Sequence, residues 1–250
     1  MNIQVLSDIH LELRSPSSFD IPDIGADVVI LAGDIGIGLQ GIEWAAEQSQ
    51  KLGKPCIYVP GNHEYYHHDL LEHDDVMRNE ADRLGVIFLN EDILVMDGYT
   101  FLGATLWCSF RDETGDNWVA EYQAEQALAD YQLIRYNGKP FRARHARERH
   151  VSAIEWLEEV LRHCNREKTI VITHHAPSHQ CANPMFPFTP VSRAFCSDAE
   201  ALLSECSLWV YGHTHASLDT DIGGTRVVSN QVCYPGESED DFDPLKMITL

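Results

Sequence analysis

Short apolar runs alternate with helix-forming segments in the first third of the chain. Ile3–Leu6, Asp27–Leu31 and Cys56–Val59 each have four or five residues, and apolar runs of this length predict strands. The segments Gly41–Leu52 and His68–Leu84 follow the last two runs and have helical composition. Strands that alternate with helices predict an α/β fold with a mostly parallel central sheet.

The pattern changes after Gly85, where apolar runs follow one another without helices between them. Val86–Leu89, Ile93–Met96 and Tyr99–Leu102 predict three short strands. Asp97-Gly98, between the last two runs, is a dipeptide typical of hairpin turns. These residues therefore predict a meander that leads into the second half of the chain.

The second half returns to a mixture of helix and strand. Residues 115–165 are predicted to be largely helical, because apolar residues recur at helical spacing up to Leu161. Three strands and a C-terminal edge strand are predicted after this helical region, at Thr169–Thr173, Ser207–Tyr211, Thr225–Ser229 and Lys246–Leu250.

Composition is ordinary for a soluble globular protein, with 44% hydrophobic and 23% charged residues among 250. We therefore expect one domain that spans residues 1–250. No apolar run approaches the roughly 18 residues that predict a membrane-spanning helix. The seven cysteines form no C-x-x-C pair, and Met1 leads straight into the first strand without a signal-peptide pattern. A reduced, cytoplasmic protein is the expectation.

The net charge of −21 bears on the partners of the chain. An acidic surface repels phosphate backbones, so nucleic acid is an unlikely partner. The charge does not exclude a small phosphate substrate, because bound divalent cations would dominate the local field. The oligomeric state stays open.

Polar clusters stand at or just past the ends of the apolar runs. Together they offer enough oxygen and imidazole ligands for two divalent metal ions. Two metals about 3.5–4 Å apart are a recurring device for in-line displacement at phosphorus. The clusters are Asp8-Ile9-His10, Gly33-Asp34, Gly61-Asn62-His63-Glu64, His174-His175 and Gly212-His213-Thr214-His215.

The first two clusters are each weak evidence when taken alone. Asp8 and His10 would point to the same side of a strand and hold one ion if the extended conformation persists past Leu6. Asp34 follows a buried type of strand and can bridge two metals with its carboxylate. The alternative for Asp34, a helix N-cap or a turn residue, stays open.

The later clusters supply imidazoles and one amide. Asn62 offers an amide oxygen to a metal, and His63 beside it is suited to protonate a leaving alkoxide. A hydrogen-bonded loop histidine is the alternative for His63. Neighbours in a strand point to opposite faces, so only one of the His174-His175 pair is expected to be a ligand, and we choose His174.

The last cluster offers two imidazoles on the same side. His213 and His215 are two residues apart, so each can reach a different ion. Gly212 lets the backbone approach closely.

The complete pattern, from residue 8 to residue 215, resembles the calcineurin-like metallophosphoesterase superfamily. That pattern runs Asp-x-His, Gly-Asp, Gly-Asn-His-Glu or Asp, His, and Gly-His-x-His. The resemblance implies a four-layer α-β-β-α sandwich with its site at the C-terminal ends of the strands. It also implies a set of metal ligands: Asp8, His10 and His215 for one ion, Asn62, His174 and His213 for the other, and Asp34 between them.

The chemistry implied by the resemblance is hydrolysis of a phosphate ester. A hydroxide shared by the metals would attack phosphorus, and His63 would protonate or stabilise the leaving oxygen, with Glu64 orienting it. The metals of the family are Mn, Fe, Zn, Ni or Co, and the mixed nitrogen and oxygen ligands do not choose among them. We expect a phosphodiesterase or phosphomonoesterase that acts on a small molecule or nucleotide.

Three alternatives remain. A nuclease of the same superfamily would need a long basic track, which the charge disfavours. A Ser/Thr protein phosphatase tends to carry an additional arginine near Gly-Asn-His, where this chain has Glu64-Tyr65-Tyr66. A non-catalytic scaffold usually loses metal ligands, and none is lost here.

One difference from the patterns of the superfamily disfavours one of its branches. The branch that hydrolyses a lipid A precursor usually has arginine where His63 stands, so His63 disfavours that assignment. The His-His-Ala-Pro run and Leu106–Ser109 resemble the corresponding stretches of uncharacterised bacterial members of the superfamily.

Two segments between the clusters are candidates for a cap. Segment 107–149 holds five arginines between 135 and 149, which could clamp a phosphate or form a solvated helix face. Segment 178–197 carries Phe186, Phe188, Arg193 and Phe195. Its aromatic rings could stack on a substrate or pack into a small core of their own.

Overall fold

The computed structural model describes residues 1–14, 19–237 and 241–250, and two β-sheets lie face to face within them. The strands, in chain order, are β1 (Asn2–Leu6), β2 (Val28–Ala32), β3 (Cys56–Val59), β4 (Ile87–Phe88), β5 (Asp92–Met96), β6 (Tyr99–Ala104), β7 (Arg111–Asp112), β8 (Gly115–Asp116), β9 (Arg135–Tyr136), β10 (Lys139–Pro140), β11 (Thr169–Thr173), β12 (Leu208–Val210), β13 (Leu218–Ile222), β14 (Thr225–Ser229) and β15 (Met247–Thr249). The helices are α1 (Gln40–Leu52), α2 (Leu70–Leu84), α3 (Trp118–Ala127), α4 (Asp130–Leu133), α5 (Ala143–Leu161) and α6 (Glu200–Leu203).

Each large sheet has a parallel centre. The first has the order β15-β1-β2-β3-β4, with β1 to β4 parallel and β15 antiparallel at the edge. The second has the order β13-β14-β12-β11-β6-β5, with antiparallel strands at both edges. The C-terminal ends of the central strands of each sheet therefore lie along one edge of that sheet.

The alternation of side chains along each strand builds four layers. In β2, Val28, Ile30 and Ala32 face the second sheet, and they share a fully buried core with residues of β11 and β12. Val29 and Leu31 point the other way and pack with residues of α1 and α2. On the outer face of the second sheet, residues of β11 and β12 pack with residues of α5 and α6. Because both faces of the central strands are buried, their sequences read as continuous apolar runs.

Helix α2 begins two residues later than the sequence predicts. Asp69 is extended, and its side chain accepts a hydrogen bond from the Leu71 N–H, which makes it the N-cap. The helix therefore begins at Leu70 and not at His68. It ends at Leu84, and Gly85 after it has a φ of +76°, the left-handed conformation that commonly follows a helix C-terminus.

Three sequence predictions differ from the structure. The predicted meander is wrong, because β4 pairs with β3 in the first sheet while β5 and β6 form a hairpin in the second. The helical region 115–165 is interrupted by a β9-β10 hairpin, whose Asn137 and Gly138 both have positive φ. The strand β13 is missed, because its sequence Leu-Asp-Thr-Asp-Ile is mostly exposed at a sheet edge and has no apolar run.

No helix in the described part of the chain is long and apolar enough to cross a membrane. All seven cysteines are free thiols.

Candidate metal centre

The predicted ligands lie at the C-terminal ends of five central strands. Asp8, Asp34 and Asn62 follow β1, β2 and β3 of the first sheet, and His174 and His213 follow β11 and β12 of the second. The two sheets are tied together here, because the His213 N–H donates to both oxygens of Asp8 at 2.9 and 3.1 Å. We call Asp8, His10, Asp34, Asn62, His174, His213 and His215 the ligand cluster.

Backbone conformation is unusual throughout the ligand cluster. Asp8, His10, Asp34, His213 and His215 have φ between 50° and 70°, the left-handed region that side chains other than glycine rarely adopt. Each such residue costs about 1–3 kcal/mol unless the surroundings hold it. Asp8 and His10 meet through these turns and not through a continued strand, so the extended geometry predicted for them is wrong.

Close approach of the backbones explains the glycines of the clusters. A Cβ on Gly33 would lie 2.3 Å from His174 Nδ1, and Gly33 has a φ of +86°. A Cβ on Gly212 would lie 2.6 Å from Asp8 Oδ2. A side chain at either position would push the two sheets' ligands apart.

One group of donors consists of Asp8, His10 and His215, with one atom from each within 4.8 Å of the others. His10 Nε2 lies 3.1 Å from His215 Nε2. His215 Nε2 lies 3.7 Å from Asp8 Oδ1. His10 and Asp8 are fully buried.

A second group consists of Asp34, His174 and His213, with the Asn62 amide beside them. His174 Nε2 is the common neighbour. It lies 3.0 Å from Asn62 Oδ1, 3.1 Å from His213 Nδ1 and 3.3 Å from Asp34 Oδ1. The structure thus brings all seven predicted ligands to one place in two groups.

The spacing within each group fits a divalent ion. Ligand bonds of about 2.1 Å separate neighbouring donors by about 3.0 Å in an octahedron and about 3.4 Å in a tetrahedron. The separations of 3.0 to 3.3 Å around His174 lie in this range. Two imidazole nitrogens that face each other at 3.1 Å, as in His10 and His215, also need either a proton or a metal between them.

Three of the four histidines are oriented through their other ring nitrogen. His174 Nδ1 donates to the Ala32 carbonyl at 2.9 Å, and His215 Nδ1 lies 2.6 Å from Glu237 Oε2. His10 Nδ1 lies 3.2 Å from Glu12 Oε1. Such partners place the proton on Nδ1 and leave Nε2 free to bind a metal.

The Asn62 amide is oriented by Asp130, a residue the sequence did not single out. Asn62 Nδ2 and the Tyr66 hydroxyl each donate to Asp130 Oδ1 at 2.8 Å. This contact turns Asn62 Oδ1 towards His174. Asp130 is buried, and this burial raises the pKa of its carboxyl group.

Charges within the metal-free cluster stabilise one another. Burial opposes ionisation of both Asp34 and His174, but the attraction between them is larger. The pKa of Asp34 is held well below its ordinary value, and the pKa of His174 is raised to about 9. A divalent cation would take the place of the His174 proton.

His63 lies beside the cluster with its two ring nitrogens in different surroundings. Nδ1 lies 2.8 Å from Glu12 Oε1, while Nε2 lies 3.3 Å from the Tyr234 hydroxyl and 3.8 Å from Asp34 Oδ2. Burial alone would lower the pKa of His63, but Asp34 and Glu12 raise it to about 9. Glu12 therefore contacts both His10 and His63, which no sequence pattern had indicated.

Glu64 has a different position from the one predicted. Its carboxylate accepts hydrogen bonds from the N–H groups of Asp34, Ile35 and Gly61 at 2.7 to 3.1 Å. The Tyr58 hydroxyl also donates to it at 2.7 Å. The prediction that Glu64 orients His63 is wrong, since Glu12 does so, and Glu64 instead holds the two turns that carry Asp34 and Asn62.

His175 points away from the donors, as expected for the second of two neighbours. Its Nδ1 lies 3.1 Å from the Thr105 carbonyl. Its ring lies 4.2 Å from the His213 ring and 5.2 Å from the indole of Trp107, so it supports His213 from behind.

A cavity of about 610 Å³ adjoins the cluster and His63. Its other side is formed by residues 127–130 and 182–195, which we call the cap wall. Apolar side chains dominate the cap wall: Leu128, Phe186, Phe188, Val191 and Phe195. The carboxyl groups that line the cavity are those of Asp34, Asp130 and Glu237, and the protonated ring of His63 also lines it. No lysine or arginine lines it among the described residues.

The arginines between 135 and 149 lie outside this cavity. Arg147 pairs with Asp116 at 2.5 Å and Glu121 at 3.3 Å, and Arg142 pairs with Glu125 at 3.1 Å. Arg149 pairs with Glu91. The interpretation as a helix face paired with the acidic surface therefore describes Arg142, Arg147 and Arg149, and the phosphate clamp does not.

Comparisons with known proteins agree with this geometry. A family model described as calcineurin-like phosphoesterase matches residues 1–217. An uncharacterised protein, L509, of Acanthamoeba polyphaga mimivirus is 25% identical over an alignment of 277 residues. The alignment covers 99% of this chain and 96% of that protein.

A solved structure is also similar. The crystal structure of phosphopantetheinyl hydrolase from Mycobacterium tuberculosis matches with a TM-score of 0.76 and 20% identity, over 96% of this chain and 92% of that one. At this identity the likeness shows the fold. The predicted α-β-β-α fold and the resemblance to a known family are both confirmed.

Proposed function

Because this chain belongs to the calcineurin-like phosphoesterase family, it is a phosphoester hydrolase, and we propose that it uses two divalent ions to cleave a small-molecule or nucleotide phosphate ester. The observation that carries the proposal is the ligand cluster, whose donor atoms lie at coordination spacing beside a cavity. The substrate is a phosphodiester or a phosphomonoester.

The residues of the cluster divide between the two ions. Asp8, His10 and His215 would hold one ion. Asn62, His174 and His213 would hold the other, with Asp34 between the two. The ions would be Mn, Fe, Zn, Ni or Co, and the donor set accepts any of them. When bound, they supply a nucleophilic water near pH 7 and neutralise charge that grows at phosphorus.

His63 would act on the leaving group. Its Nδ1 is held by Glu12, so its Nε2 is the nitrogen that can deliver a proton to the departing oxygen. The Tyr234 hydroxyl, 3.3 Å from Nε2, helps to keep the ring in this orientation. Asp34 favours the protonated ring, which suits a proton donor.

The rest of the chain would serve this site as one domain, residues 1–250, with segments 107–149 and 178–197 as its cap. Seven free thiols support a reducing, cytoplasmic environment. Nucleic acid is a poor candidate substrate, because the net charge is −21 and the described cavity lining has no lysine or arginine. The name of the structural relative makes a phosphopantetheinyl ester one compound to include among the candidates.

The test is an Asp34→Asn variant with Asp82→Asn as its matched control. Asp82 is exposed on α2, so the same chemical change there leaves the site intact. We expect Asp34→Asn to abolish hydrolysis of p-nitrophenyl phosphate and bis(p-nitrophenyl) phosphate with Mn²⁺ and to lower the metal content. Full activity in that variant, with an unchanged circular dichroism spectrum, would contradict the proposal.

A panel of esters then separates the candidate functions. Comparing monoesters, diesters, cyclic nucleotides and single- and double-stranded DNA with each metal in turn assigns the class. Cleavage of DNA in preference to small esters would favour the nuclease alternative.

A further inference from the structure

The cap wall presents apolar groups to the cavity and leaves two of them uncovered. The side chains of Phe186 and Phe188 are 70% and 47% exposed, so the loop does not pack these rings into a core of its own. Phe195 lies deeper, with its ring stacked 4.8 Å from the ring of His213. A continuous apolar surface therefore runs from the ligand cluster to the outer rim.

Among the described residues, no lysine or arginine lines this surface. Arg193 is the basic residue nearest to it in sequence, but its guanidinium lies over the Phe188 ring at 5.5 Å and donates to the Arg111 carbonyl. Residues 15–18 and 238–240, which lie outside the described ranges, contain no lysine or arginine. The neutral polar groups on this side, such as Asn183, Thr189 and Ser192, can accept or donate hydrogen bonds without adding charge.

The acidic side chains that line the cavity lie at or beside the ligand cluster, and so does the protonated His63 ring, which is held by Glu12. Asp130 and Glu237 flank the cluster, and Asp34 lies within it. Metal ions at the cluster would attract the scissile phosphate, but their charge is partly balanced by Asp8 and Asp34. An anionic group farther along the cavity would lose water without meeting a cation, which is unfavourable.

We infer that the substrate carries, beyond the scissile phosphate, an uncharged and mainly apolar arm that lies along the cap wall. This inference rests on the proposed function, since it takes the phosphate to bind at the ligand cluster. The volume of about 610 Å³ exceeds what a phosphate group needs and falls within the range of small-molecule sites. Substrates with a second anionic group, such as nucleoside polyphosphates or sugar bisphosphates, are disfavoured.

The test measures binding, so it does not depend on turnover. Methyl-, hexyl- and 5-carboxypentylphosphonate are titrated into the Mn²⁺-loaded protein by calorimetry. We expect hexylphosphonate to bind at least about tenfold more tightly than methylphosphonate, because its extra methylene groups leave water. We expect 5-carboxypentylphosphonate, of matched length, to bind no more tightly than the methyl compound. Equal binding of the hexyl and carboxypentyl compounds would overturn the inference.

Two lysine variants test whether the arm of the ligand lies along the cap wall. Ala127 is an exposed residue at the end of α3 that lines the cavity, and Gln126 beside it is exposed and does not line it. Lysine is tolerated near a helix C-terminus, so Ala127→Lys and Gln126→Lys are both compatible with the fold. We expect Ala127→Lys to shift the preference towards the carboxypentyl compound by about tenfold through a new ion pair, and Gln126→Lys to leave it unchanged. An equal response of the two variants would contradict the assigned location.

Failure of the inference and failure of the proposed function give different results. If p-nitrophenyl methyl phosphate is hydrolysed but the phosphonates show no preference for the hexyl arm, the inference fails alone. If the hexyl preference is present without hydrolysis of any ester, the proposed function fails and the arm site stands.

Discussion

The two sides of the cavity are built on different physical principles. The ligand cluster sits on the ends of buried parallel strands, and nearly every polar atom in it has a partner at a defined distance. The cap wall is a loop and a helix end with exposed phenyl rings, and its polar groups that line the cavity are uncharged apart from Asp130. Under the proposed function, the comparison teaches that the strand ends would determine the reaction, whereas the loops between them would select the substrate.

Replacement of His63 tests the chemical side of this comparison and has the largest expected effect. His63→Gln removes the proposed proton donor, so we expect kcat for an alkyl phosphate ester to fall about 10²- to 10⁴-fold. The loss should be much smaller for a p-nitrophenyl ester, because that leaving group departs without protonation. Steady-state kinetics with both esters measures the difference.

The control for this variant is His163→Gln, at an exposed position in the turn just past the end of α5. Metal content should be unchanged in both variants. Equal losses with the two leaving groups would show that His63 does not act through proton transfer.

Replacement of Asp130 tests whether a residue of the cap wall also supports the ligand cluster, because Asp130 lies in the cap wall yet contacts a predicted ligand. Asp130→Asn removes the carboxylate that holds the Asn62 amide, so we expect metal affinity to fall about 10- to 100-fold. Competition with a fluorescent chelator measures this affinity. Unchanged affinity for both ions would place Asp130 with the substrate and not with the metals.

The metal-free protein should lose stability as pH rises, and this tests the charges of the cluster. The folded pKa values of His63 and His174 are about 9, above the ordinary value of 6.5. Their contribution is fully present below pH 6.5 and is lost as pH rises through 9. We therefore expect the Tm of chelator-treated protein to fall between pH 6.5 and 9.

The metal-loaded protein is the comparison for that measurement. Metal binding releases the His174 proton, so the gap in Tm between loaded and metal-free protein should widen over the same pH range. A gap that stays constant would contradict the assignment of His174 as a ligand.

The arginine-rich face of α5 should matter least, because it lies outside the cavity. Arg147 pairs with Asp116 and Glu121 on a partly exposed surface. We expect Arg147→Gln to change kcat/KM by less than about twofold and stability by at most about 1 kcal/mol. A large rise in KM would indicate that these arginines contribute to substrate binding.

The sequence predicts the residues of the ligand cluster, but it does not predict which residues of the cap wall contact them. The reason is physical. Buried parallel strands are continuous apolar runs, so their ends, and the polar residues there, are visible in the sequence. Glu12, Asp130 and Tyr234 are isolated residues that reach His63 or Asn62 through tertiary contacts. Asp130, for example, is 68 residues from Asn62 along the chain.

The backbone conformation predicted for Asp8 and His10 is wrong although the structure brings their side chains together. Extended geometry is the prediction, but both residues have positive φ. Such conformations are held by surrounding hydrogen bonds, among them the His10 N–H to the Asp34 carbonyl at 3.0 Å. These bonds form only when β1 and β2 are paired, so local sequence does not reveal them.

Titration of the metal-free protein with Mn²⁺ tests the central claim most directly. Bound metal per chain and hydrolysis of bis(p-nitrophenyl) phosphate are measured in the same samples. The ligand cluster predicts binding that saturates at two ions per chain, with full activity reached only as the second ion binds. Full activity in the chelator-treated protein, or saturation of both binding and activity at one ion, would contradict it.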